Sequence, residues 1–174
     1  MKTFDDVLSA ELKELFSAQR QWLLALPGVI RGASSSRLAE HFRREARETK
    51  RHIERLEEIA AVLGGSPRGR VHTSMRELVQ TAQDVCRTES DGVISDARLI
   101  IVAQRVAHLL ICGYGTACTL ARILGHGTAE SSLALSLAEK DADDRALTNL
   151  AIDIYTVSGP AEPVAPVLDE PFRP

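Results

Sequence analysis

Apolar residues recur at alternating steps of four and three along most of the chain, the period of helices that each bury one face. The first seam is Leu8, Leu12, Leu15, Trp22 and Leu26, and Thr3 followed by Asp5 and Asp6 opens it. A hydroxyl there caps free N–H groups, and the carboxylates suit the positive end of the helix dipole. Pro27-Gly28 kinks this helix or ends it. Ser34-Ser35-Ser36 opens a second helix with the seam Leu38, Phe42, Leu56, Ile59 and Leu63, and Gly64-Gly65-Ser66-Pro67 stops it. Ser74 with Glu77 three residues on forms a capping box for a shorter helix reaching about Cys86. A helix from Ser95 or Asp96 to Leu124 is apolar on nearly every side and is expected to be the most enclosed element. After Gly125-His126-Gly127 a last helix runs from Thr128 to about Tyr155 on the seam Leu133, Leu137, Leu147, Ala151 and Ile154. The predicted fold is all-α, an antiparallel four-helix bundle with one extra short helix between the second and third long ones.

From Gly159 the pattern stops and Pro160, Pro163, Pro166, Pro171 and Pro174 follow. Residues 1–158 therefore read as the bundle and 159–174 as a Pro-rich tail, which suits docking onto a protein partner. Composition agrees with helices, since 44% of residues are hydrophobic but only 4% aromatic. The 21 Lys and Arg against 24 Asp and Glu leave a net charge of -3, so no nucleic-acid partner is expected. The apolar window Leu99 to Leu124 carries Gln104, Arg105, His108 and Arg122, which argues for a core helix and against a membrane span. Cys86, Cys112 and Cys118 lack metal-ligand spacing and read as buried free thiols of a reducing compartment. With no leader-like start, the expected location is cytoplasmic.

The seams are interrupted by polar residues at similar heights. Gln19 breaks the first, Glu45, Thr49 and His52 the second with Glu48 flanking, His108 lies in the third, and Lys140 and Asp144 break the last beside Glu139 and Asp143. An isolated polar group in a core costs on the order of 1–3 kcal/mol, so a coincident band points to a site. Bundles of this kind commonly hold metals between inward carboxylates and imidazoles, with a Glu from each of two helices and a Glu-x-x-His pair from each of the others. Glu45, Glu48 and His52, at i, i+3 and i+7, share one face and are placed to bind one ion together. The chain has no Glu-x-x-His, however, and an alternative for that trio is a solvated face paired with Arg43, Arg44, Arg47, Lys50 and Arg51. His108 reads as a core histidine hydrogen-bonded to Gln19 or Glu48, and Gln19 as an internal hydrogen-bond partner. Glu139, Asp143 and Asp144 read as surface partners of Arg145 and Lys140. Tyr114, between Gly113 and Gly115, marks a close helix approach. No nucleophile elbow or phosphate-cradling glycine loop is present.

Together, Glu11-Leu12-Lys13-Glu14-Leu15-Phe16-Ser17-Ala18-Gln19, Ala25-Leu26-Pro27, Glu48-Thr49 with Glu54-Arg55-Leu56, Ala103-Gln104 with Val106 and His108, Tyr114-Gly115, Leu137-x-Glu139 with Asp144, and Leu147-Thr148-x-Leu150-Ala151 resemble the YciE/YciF-like stress-protein family over residues 8–151. The resemblance implies a ferritin-like bundle, a homodimer, and a di-iron or di-manganese centre without a settled activity. It places metal-capable side chains at Glu48, His52, His108 and Glu139. It also implies acids where this chain has Gln19, Ala107, Leu110 and Ala138. Losing four carboxylates removes bridging charge, so a single iron or manganese ion or none is expected, held by Glu45, Glu48, His52, His108 and Glu139 with Gln19 and Asp143 nearby. The expected function is a non-catalytic, stress-associated dimer with a degenerate metal site. The alternatives are a metal-dependent peroxide- or oxygen-handling protein and an interaction or cargo protein acting through its tail.

Overall fold

A computed structural model describes residues 3–88 and 92–158, so the Pro-rich segment from 159 lies outside the described residues. The described residues form five helices and no strands: α1 (Phe4–Gly32), α2 (Ser36–Val62), α3 (Thr73–Thr88), α4 (Gly92–Ile123) and α5 (Gly127–Ser158). Thr3 caps α1 in a reciprocal box with Asp6, both bonds measuring 3.1 Å. This helix runs through Pro27 to Gly32, held on either side of the proline by the buried Leu26 and Val29. Ser35 caps α2, and Gly64, in the left-handed region at φ 72°, follows its end.

Two helix starts differ from expectation. The Ser74–Glu77 box is not used; the Met75 N–H instead donates to Nδ1 of His72 at 3.1 Å, so an imidazole caps α3. Ser95 and Asp96 do not begin α4 but lie buried in its first turns. The Asp96 carboxylate accepts from the Ser34 and Ser35 N–H groups at 2.8 and 2.7 Å, pinning the α1–α2 connection from a different helix.

The four long helices pack in a ring, α1 on α2, α2 on α5, α5 on α4 and α4 on α1, with α3 laid over α1 and α4. Neighbours run antiparallel. Gln19 meets His52 and Trp22 meets Glu45 across α1–α2. The start of α2 meets the end of α5 through Arg37 and Asp153, and the N-terminus of α1 meets the turn that follows α4 through Asp5 and His126. The one long connection, from α2 to α4, carries α3. The core is one apolar cluster with Trp22, Leu26, Leu38, Phe42, Leu56, Leu99, Ile100, Val106, Leu110, Leu133 and Leu147 among its members. Gly113 lets α4 approach α1, since a Cβ there would stand 2.7 Å from Cδ2 of Leu15.

By length and composition α4 could cross a membrane, but half of its most apolar window is buried against the other helices. The thiols correct one expectation: Cys118 is buried, but Cys86 is only half-buried and Cys112 is exposed, because Cys112 faces away from the seam that Cys118 joins.

Candidate functional site

The polar interruptions resolve into two clusters stacked along the bundle axis. The upper one is built on α2 and α5. His41 and Glu45 lie one turn apart on the inner face of α2, and Lys140 and Asp143 lie at i, i+3 on the inner face of α5. The Lys140 side chain is 0% exposed, and its Nζ donates to Oε1 of Glu45 at 3.0 Å and to Oδ2 of Asp143 at 2.8 Å. Trp22 on α1 adds its Nε1–H to the same Glu45 oxygen at 2.8 Å. Nε2 of His41 stands 3.1 Å from Oδ1 of Asp143, off the line of a hydrogen bond. Nδ1 of His41 accepts from the Arg44 guanidinium at 2.9 Å, and since Arg can only donate, this bond leaves the ring hydrogen of a neutral His41 on Nε2.

Burial sets the electrostatics of this cluster. It pushes the Glu45 carboxyl above its ordinary range, which Lys140 offsets only in part. Burial would strip the proton from Lys140, yet Glu45 and Asp143 outweigh it and hold the ammonium charged beyond the ordinary lysine range. Asp143 is likewise buried, but the neighbouring His41 and Lys140 hold it well below the usual carboxylate range.

The lower cluster joins α1, α2, α4 and α5. One amide nitrogen, Nε2 of Gln19, reaches both Nδ1 of His52 at 3.1 Å and the Tyr114 hydroxyl at 2.9 Å. Nε2 of His52 lies 2.7 Å from Oε2 of Glu139. The amide donates to Nδ1, so the ring hydrogen sits on Nε2 and points at the carboxylate. Burial is the largest effect on His52 and, with the Lys140 and Arg55 charges, lowers it to about 4 despite the Glu139 bond. Arg55 clamps Glu139 with both guanidinium nitrogens and also donates to the Ser136 hydroxyl at 3.1 Å. That clamp, against the cost of burial, brings Glu139 to about 2. Tyr114 is pushed up to about 12, mainly by burial.

Residues 3–157 match the family described as "Domain of unknown function (DUF892)". The chain is also 34% identical over 154 residues to Protein YciF of Escherichia coli strain K12, spanning 88% of this chain and 93% of that protein. The chain belongs to the YciF-like DUF892 family. The crystal structure of the E. coli stress protein YciF matches with a TM-score of 0.86 at 33% identity, covering 90% of this chain and 99% of that one. YcfI from Rhodopseudomonas palustris matches with a TM-score of 0.81 at 30% identity, covering 85% and 94%.

In this DUF892 chain the expected site residues do not converge on one point. Glu45, Glu48 and His52 separate. Glu45 joins the upper cluster and His52 the lower one, while Glu48 turns to the rim, 19% exposed, with the Arg44 guanidinium 3.9 Å away. Residues at i, i+3 and i+7 share a face only broadly, and the bundle buries just its centre line. His108 is not a core histidine: its side chain is 68% exposed and its Nε2 lies 3.5 Å from Asp144 on the outer α4–α5 edge. Its neighbours Ala107 and Leu110 take the inward positions instead. Lys140 and Asp143 are buried rather than surface partners, and Glu139 pairs with His52 and Arg55 rather than Arg145. Gln19 is the internal hydrogen-bond partner it was expected to be. Among the four positions where the resemblance implies acids, Gln19, Ala107 and Leu110 face the interior but Ala138 is exposed. Sequence reasoning missed His41, although its place three residues after Leu38 and four before Glu45 put it on the apolar seam.

Proposed function

We propose that this chain is a non-catalytic, stress-associated member of its family, a ferritin-like bundle in which internal ion pairs have taken over a decayed metal centre, and that it works as a cytoplasmic homodimer. The antiparallel ring of four long helices with one long crossover supports the ferritin-like reading. The observation that carries the functional reading is the Lys140 ammonium lodged between Glu45 and Asp143 at zero exposure.

The residues do not fit a two-metal centre as they stand. His41, Glu45 and Asp143 could bring three ligand atoms within 4.8 Å of one another, but the Lys140 ammonium already sits between the two carboxylates among them and donates to both. In the lower cluster Gln19 offers an amide in place of a carboxylate, and both ring nitrogens of His52 are already engaged. A hard divalent cation at the upper cluster would have to compete with the Lys140 ammonium for both carboxylates.

Metal analysis of protein produced in iron- or manganese-supplemented medium and purified without chelator tests this reading. The expected content is well below one equivalent of either metal per protomer. About two equivalents, lost on Glu48→Ala, would overturn the non-catalytic reading. Sedimentation at micromolar concentration is expected to give twice the 19.0 kDa chain mass; a monomer would remove the dimer from the proposal.

A further inference from the structure

The upper cluster retains a three-ligand divalent-metal site whose resident cation is the side chain of Lys140, and we infer that removing this amine converts His41, Glu45 and Asp143 into a site for one divalent transition-metal ion. This rests on the reading above that the native chain holds no metal. The site lies on α2 and α5 and includes His41, outside the ligand set expected from family resemblance.

Three observations point to a ligand. The side chains of His41, Glu45 and Asp143 are 2%, 0% and 1% exposed, and each offers one ligand atom within 4.8 Å of the others. Oε2 of Glu45 is buried and has no hydrogen-bond partner among the described residues, so one carboxylate oxygen of the trio is unused. Lys140 reaches both carboxylates from within the protein at 2.8–3.0 Å, which is the arrangement of a cation and its anionic ligands. An imidazole with two carboxylates is a donor set suited to zinc, cobalt or manganese.

A second lock accompanies the lysine. Arg44 donates to Nδ1 of His41, so in the neutral ring the hydrogen sits on Nε2 and blocks that nitrogen as a ligand. Arg44 is half exposed and can turn out to solvent, leaving Nδ1 to carry the hydrogen and Nε2 to ligate. The buried amine is thus the dominant barrier and the arginine a lesser one.

The test compares the wild-type chain with Lys140→Ala and Lys140→Ser, both of which leave room for an ion and a water, using zinc and cobalt(II) salts alone as probes. Each variant is expected to bind about one equivalent of cobalt(II), with visible absorption bands of a nitrogen–oxygen site. With zinc at roughly a hundred times its dissociation constant, Tm is expected to rise by about 5–10 °C. Adding Asp143→Asn to either variant is expected to abolish both signals. The wild-type chain is expected to show neither. If both variants are folded and gain no metal, or if neither folds even with metal present, the inference is overturned. Metal binding by wild type and variants alike would overturn the metal-free reading instead, so the two failures are distinguishable.

Discussion

The Lys140 side chain is fully buried, so its two carboxylate partners take the place of bulk solvent around the charge. Removing one member of a buried ion pair strands the remaining charges, typically costing about 3–5 kcal/mol, whereas replacing all members with apolar groups is often neutral. Lys140→Met alone is therefore expected to lower the urea midpoint by an amount equivalent to several kcal/mol. The triple change Glu45→Leu, Lys140→Met, Asp143→Leu is expected to cost less than that single change. His52 gives a second prediction. Its folded value of about 4 lies below the ordinary 6.5, so the unfolded chain takes up this proton first as pH falls. The stability associated with neutral His52 is present above pH 6.5 and lost on acidification toward pH 4, at most about 3 kcal/mol over the window. Urea midpoints measured from pH 7 to 4 should fall accordingly, and His52→Gln should flatten that slope. Glu139 adds loss in the same direction at lower pH, between about 4.5 and 2, because its folded value is depressed.

Between elements, close packing and cross-helix caps decide what the chain tolerates. Gly113 and Gly115 are two residues apart on α4, yet a Cβ at 113 would press on Leu15 while one at 115 meets nothing within 4 Å. Gly113→Leu is expected to destabilise by at least about 1–3 kcal/mol through overpacking. Gly115→Ala is expected to stabilise by up to about 1 kcal/mol through helix propensity. Thermal melts of the two variants should move in opposite directions. Asp96 closes the α1–α2 connection from α4, so Asp96→Ala should remove two bonds to backbone N–H groups and cost about 1–3 kcal/mol. Such a cap is invisible to any rule that searches within one helix, which is why Asp96 reads from the sequence as the start of its own helix. The Ser74 box failed for a similar reason: the backbone of His72 is held by the Ser17 hydroxyl on α1 at 2.9 Å, which brings that imidazole to the end of α3 first.

Across the whole molecule, the buried core extends from Leu8 to Ala151, all within the described helices. Residues 159–174 carry five prolines and no helical apolar period, so a chain ending at Ser158 is expected to melt within a degree or two of the full chain. A matching loss of partner capture without loss of stability would support an interaction role for the Pro-rich segment; a large drop in Tm would show that the segment belongs to the fold.

Helix number, most helix ends and the apolar faces were legible in the sequence because a 3.6-residue period, an N-cap and a glycine stop act over one or two turns of local chain. The existence of a polar band was legible for the same reason, since Gln19, Glu45, His52 and Lys140 each break a seam that would otherwise be apolar. How that band divides was not. That Glu45 turns inward and Glu48 flanks it was legible, but whether Asp143 or Asp144 points inward, whether His108 faces the core or the edge, and which cation sits against Asp143 depend on rotating each helix by a fraction of a turn about its axis. That rotation is set by packing such as Gly113 against Leu15 and Trp22 against Glu45. A seam records that a residue is near the centre line of its own helix. Only the assembled bundle decides which residue of another helix it meets, and that meeting puts an ammonium between two buried carboxylates.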